Sequence, residues 1–106
     1  MYWFRVQHRH FEKMLFAVPN GGHRNAREAA IMKAEGVTAG VADVILLIGR
    51  GGYNSLCVEF KTEKGKQTEL QKEWQTETEK NGNKYVICRS VNEFISLVNE
   101  YLSYDI

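Results

Sequence analysis

The run Asp43-Val-Ile-Leu-Leu-Ile48 is apolar on both of its alternating sets of positions. Successive side chains of a strand point to opposite faces, so such a run needs apolar cover on both sides. A sheet with one wet face is a poor home for it, and helices packed on both faces are a good one. The flanking chain supplies the other layers. Residues 14–18 read as a short strand that stops at the turn Pro19-Asn20-Gly21-Gly22. Asn25 can cap a helix over 26–35, with Ala26, Ala29 and Ala30 starting its apolar face, Ile31 and Met32 widening it, and Gly36 as a left-handed stop. Residues 49–54 form a hairpin loop and 55–62 the return strand. A helix over 68–81 ends at Gly82, a strand follows at 84–89, and Ser90 with Glu93 opens a last amphipathic helix. The expected fold is α/β, in the order β-α-β-β-α-β-α: a small mixed central β-sheet flanked by helices, with room for a short helix before it.

At 106 residues, 43% of them hydrophobic, the chain is read as one domain over 1–106 with a modest core. Its longest apolar runs, 14–18 and 44–48, fall far short of the roughly 18 residues that cross a bilayer. Residues 1–11 mix aromatics with arginine and histidine and do not read as a signal peptide. Cys57 and Cys88 lack metal-like spacing and read as buried small apolar residues suited to a reducing cytoplasm. The net charge of +1 hides an asymmetry. Residues 1–34 hold six Lys/Arg (Arg5, Arg9, Lys13, Arg24, Arg27, Lys33) against two acids, whereas 35–106 hold eight against eleven. A polyanion would meet the first third of the chain. Trp3, Phe4, Phe11 and Phe16 read as core or interface, and His8 and His10 as surface.

Fifteen residues separate Asp43 from Glu59-Phe60-Lys61. A period of two puts Glu59 and Lys61 on one face of the return strand, and Asp43 joins them if the hairpin pairs it with Glu59. Ile45, Leu47 and Cys57 then lie on the same face, with Val44, Leu46, Ile48, Leu56, Val58 and Phe60 on the other. A slip of one residue would separate the acids. Two carboxylates about 4 Å apart repel by roughly 4 kcal/mol at an effective dielectric near 20. A divalent cation removes that penalty, and oxygen ligands favour Mg²⁺ or Mn²⁺ over zinc. Such an ion beside a lysine suits hydrolysis of a phosphodiester. The competing reading is a solvated Glu59–Lys61 pair worth under about 1 kcal/mol.

Ordered blocks extend this constellation along the chain: Phe16-Ala-Val-Pro-Asn-Gly-Gly22 with Arg24, Lys33-Ala-Glu-Gly36, Ala39-Gly-Val-Ala-Asp43, Glu59-Phe60-Lys61, Gly65-Lys66, Gln71 with Trp74, and Gly82 leading to Val86-Ile-Cys-Arg-Ser90. Together they resemble the virus-type replication-repair nuclease (VRR-NUC) domain of the PD-(D/E)xK superfamily. The resemblance implies a restriction-endonuclease-like core and metal binding by Asp43, Glu59 and the backbone carbonyl of Phe60. It also implies catalytic roles for Lys61 and Gln71. Thr68-x-x-Gln71 is equally a capping box, and the two roles are compatible. Asn20, Gly21, Gly22 and Arg24, with Arg27 on the helix that follows, are implied to contact DNA phosphates. Ala42 stands where the family carries proline. The family's first-helix acid has Glu12 as its only candidate here.

The expected activity is Mg²⁺- or Mn²⁺-dependent endonuclease cleavage of branched DNA such as Holliday junctions. A homodimer would match the two-fold symmetry of that target, working inside a bacterial or phage-infected cell. The alternatives are a catalytically weak or inactive DNA-binding module, a restriction-type endonuclease of the same superfamily, and a purely structural interaction domain.

Overall fold

The computed structural model describes residues 1–19 and 26–106, apart from the side chains of Ala26, Ala29 and Met32. The cap expected at Asn25 and the Asn20-Gly21-Gly22 turn lie outside the described residues.

The strands are β1 (Leu15–Ala17), β2 (Val44–Leu46), β3 (Leu56–Phe60) and β4 (Lys84–Cys88), adjacent in that order in one sheet. β1–β2 and β2–β3 are antiparallel, whereas β3–β4 is parallel. The sheet is therefore mixed, as expected. A parallel pair cannot be joined by a tight turn, and α3 (Glu69–Lys80) makes the crossover. α1 (Tyr2–Gln7) and a 3-10 turn (Arg9–Phe11) precede the sheet, α2 (Ala26–Ala34) lies between β1 and β2, and α4 (Val91–Ser103) closes the chain. Gly36, at φ +97°, follows α2 in the left-handed conformation expected of its stop. Among the described residues no helix is long and apolar enough to cross a membrane.

The two-period pattern sorts the strands as expected. Val44, Leu46, Ile48, Leu56 and Val58 join Phe4, Phe94, Val98 and Tyr101 in the main core. On the opposite face Ala42, Cys57 and Tyr85 are buried, with Ile45, Trp74 and Ile87 packed against them. Trp74 of α3 meets the Tyr85 ring at 6.0 Å. Helices thus cover both faces, α1 and α4 on one and α3 on the other. Both cysteines are free and buried.

The cover is incomplete at the β1–β2 side. Leu47 is 55% exposed and Phe16 40% exposed, because α3 packs over the β3–β4 half of the sheet. The expectation that 44–48 is buried on both faces therefore fails at Leu47. On α2, Ala30 and Ile31 are exposed rather than packed.

Ser90 caps α4 by accepting from the Glu93 N–H at 3.1 Å. The Glu93 carboxylate reaches one residue further back than a capping box requires, to the Arg89 N–H.

Candidate active site

Val44 stands opposite Val58 and Ile45 opposite Cys57. One step along this ladder brings Asp43 beside Glu59, the register on which the site depends. Asp43 is fixed by its neighbours: its Oδ2 accepts from the Phe60 N–H at 2.8 Å, and its carbonyl accepts from Val18 at 2.8 Å. The first acid is thereby tied to the strands on both sides of it.

Glu59 is only 3% exposed, yet it is an acid in the middle of a sheet face. Its Oε1 accepts from Gln71 Nε2 at 3.1 Å and lies 3.9 Å from Lys61 Nζ. Its Oε2 is buried and meets no donor among the described residues. Desolvation by burial pushes the Glu59 carboxyl up to about 7; the Asp43 charge and a proton bridging the two carboxyls push the same way, against the nearby Lys61 ammonium. Two acceptors side by side can bridge only through a shared proton or a cation. A buried carboxylate oxygen left without a donor is costly, and a divalent cation with oxygen preference would satisfy it. Two carboxylates, with the Phe60 carbonyl that the resemblance adds, form an all-oxygen donor set that fits Mg²⁺ or Mn²⁺.

Gln71 fills its expected capping role and also reaches the buried acid. Its side-chain oxygen accepts from the Thr68 N–H at 2.9 Å while its own N–H donates to Thr68 Oγ1 at 3.2 Å, a complete capping box. The amide nitrogen left over holds Glu59. A helix start thus aims a donor at the buried acid.

Gly40 sets the distance between the two acids and this helix. Its φ is +86°, and a Cβ there would lie 2.4 Å from the Leu70 carbonyl oxygen. The chain entering β2 rests directly on the first turn of α3. The sequence analysis gives Gly40 no role, although a glycine three residues before a candidate acid is a usable signal.

Not every expected residue reaches the cluster. Glu12 is exposed and belongs to the other end of the sheet, since Leu15 pairs with Leu46 whereas Ala17 pairs with Val44 next to Asp43. It is not part of the acid pair. Among the described residues no group of three His, Cys, Asp or Glu side chains is placed to hold a metal. Asn20, Gly21, Gly22 and Arg24 lie outside the described residues, and Arg27 is exposed on α2. Ala42, in the position where a proline was expected, is fully buried beneath the site. His8 is not a bare surface residue: its Nε2 bonds Asn99 Oδ1 at 3.1 Å and its ring packs edge-on to Trp3.

A mixed sheet between helix layers, with an acid at the start of one central strand and acid-x-Lys at the end of the next, is the α/β arrangement expected from the resemblance to the nuclease superfamily. The family model for the VRR-NUC domain matches residues 3–92, and the chain belongs to that family. A solved structure described as a VRR_NUC domain protein superposes with a TM-score of 0.77 at 29% identity, covering 90% of this chain and 72% of its own. No curated protein matches the chain.

Proposed function

We propose that the chain is a Mg²⁺- or Mn²⁺-dependent endodeoxyribonuclease that selects branched DNA, acting as a homodimer on the two strands of a junction. The observation that carries this reading is a buried Glu59 oxygen that meets no donor among the described residues, on a carboxyl beside Asp43 whose other oxygen lies 3.9 Å from Lys61 Nζ.

Asp43, Glu59 and the Phe60 carbonyl would hold the ion. When bound, it would supply Lewis-acid stabilisation of the phosphate and a lowered pKa for water. The remaining work falls to the chain. Gln71 keeps Glu59 turned toward Asp43, and the Phe60 N–H fixes Asp43. Lys61 places an ammonium where a scissile phosphate would lie, stabilising the charge that develops there. A domain of this size offers little surface for reading base edges, so backbone and shape contacts dominate selection.

Cleavage of a four-way junction with Mn²⁺ should be robust for the wild type and fall about 10²–10³-fold for Lys61→Ala. Binding without cutting by both proteins would favour the inactive DNA-binding module. Equal cutting of plain duplexes with a sequence requirement would favour a restriction-type enzyme. A Mn²⁺ titration without heat would remove the metal.

A further inference from the structure

Between Lys61 and the helix that carries Gln71 lies the loop 62–67, and the structure holds it unusually firmly. Arg89, from the end of β4, points Nη1 at three of its carbonyls: Thr62 at 2.7 Å, Glu63 at 3.2 Å and Gly65 at 2.8 Å. At the other end Gln67 donates to Gln75 at 2.8 Å and to the Tyr85 hydroxyl at 3.2 Å. Gly65 closes a turn onto the Thr62 carbonyl at 3.0 Å.

An arginine spent on three carbonyls of an exposed loop is not needed for the core, which lies elsewhere. It is needed if the loop must keep a shape. What the loop displays is positive: Lys64 and Lys66 are exposed, and among the described residues neither is ion-paired. Lys61 and Arg89 flank them, with Glu63 the single acid of the loop. In sequence these lysines lie between the two segments that build the acid cluster, β3 and α3.

We infer that loop 62–67 is a preformed contact surface for the DNA backbone. Lys64 and Lys66 take phosphates flanking the one at Lys61, and Arg89 is the positioning residue that holds them in register. This rests on the proposed nuclease reading for its partner, a nucleic-acid strand. A rigid display avoids the entropy that two free lysines would lose on binding.

Affinity for junction DNA, measured against salt with divalent metal chelated so that no strand is cut, tests it. Lys64→Ala/Lys66→Ala should weaken binding about tenfold at moderate salt. Each phosphate contact contributes about one unit to the slope of log affinity against log salt, so the slope should fall by about two. Arg89→Ala should weaken binding several-fold with its slope nearly unchanged. Adding it to the lysine pair should cost little more, because the clamp acts through those lysines. Additive losses would show that Arg89 does not act through the loop, and a slope lowered by Arg89→Ala alone would make it a phosphate contact itself; either overturns the clamp. Unchanged affinity and slope in the lysine variant, or no binding by the wild type, overturns the contact surface. Mn²⁺-supported cutting of the same junction separates the two claims. Intact cutting with an unchanged salt slope sinks the loop alone, and a lowered slope without any cutting sinks the nuclease reading alone.

Discussion

On one face of the sheet, Val44, Leu46, Leu56 and Val58 meet Phe4, Phe94, Val98 and Tyr101, and the one hydroxyl buried among them is used, Tyr101 donating to the Ile48 carbonyl at 2.6 Å. On the other, a smaller apolar set gives way to Glu59, an acid with an oxygen that no donor meets among the described residues. The same strands build both faces. The contrast shows how a small domain can bury a carboxylate at all: closely packed apolar surface on one side offsets the unfavourable electrostatics held on the other. Function and stability are then separable by face, and that separation can be tested.

The largest stability effect belongs to the packed face. Leu46 is fully buried between two strands and the α4 layer. Leu46→Ala should lower unfolding free energy by about 2–5 kcal/mol in urea titrations, while cleavage well below its melting temperature stays within a few-fold of wild type. A loss of activity comparable to that of Lys61→Ala would break the separation.

Next comes the contact joining the two regions. Gly40→Ala places a methyl 2.4 Å from the Leu70 carbonyl oxygen at a backbone angle that L-residues avoid. The strain costs about 1–3 kcal/mol. Because Gln71 follows Leu70, the same shift should also reduce Mn²⁺ affinity. Weakened stability with unchanged metal affinity would show that the α3 start tolerates movement.

These sites also mark what the sequence disclosed. The order of elements, the alternation of the strand faces and the capping box at Thr68 were legible because period-two patterning and side-chain caps are local signals, whereas the register that pairs the acids was an assumption that the β2–β3 ladder meets. Leu47 was not, because its exposure depends on where α3 ends up over the sheet, and no local pattern carries that. Gly40 and Arg89 escaped for a related reason. Their partners are Leu70 and the carbonyls of 62–65, which tertiary folding alone brings near. Glu12 looked eligible in sequence order, but strand direction puts it at the far end of β1.

The polar face should also answer to pH. Glu59 is raised from 4.5 to about 7 in the folded chain. Between those values the native state binds more protons than the unfolded one, so this group's stabilisation is present at low pH and is lost as pH rises through about 7. Metal-free protein should therefore melt several degrees lower at pH 8 than at pH 5. Glu59→Gln should remove most of that slope and melt above wild type at pH 8. A slope that survives Glu59→Gln would assign it to other groups.

The smallest effect separates the two jobs of Gln71. Gln71→Ala removes the reciprocal cap and the Glu59 contact together, for about 1 kcal/mol. Gln71→Glu keeps an oxygen for the Thr68 N–H, since Glu serves a capping box as well as Gln does. It replaces the donor facing Glu59 with a second carboxylate oxygen, which turns an attraction into a repulsion. If helix capping is what Gln71 contributes, Gln71→Glu should melt like wild type at every pH. If holding Glu59 matters, Gln71→Glu should match wild type near pH 5, where Glu59 is protonated and can donate. It should then fall below wild type at pH 8, where both acids are charged, and the gap should close on adding Mn²⁺. A gap of the same size at both pH values would assign the loss to something other than charge at Glu59.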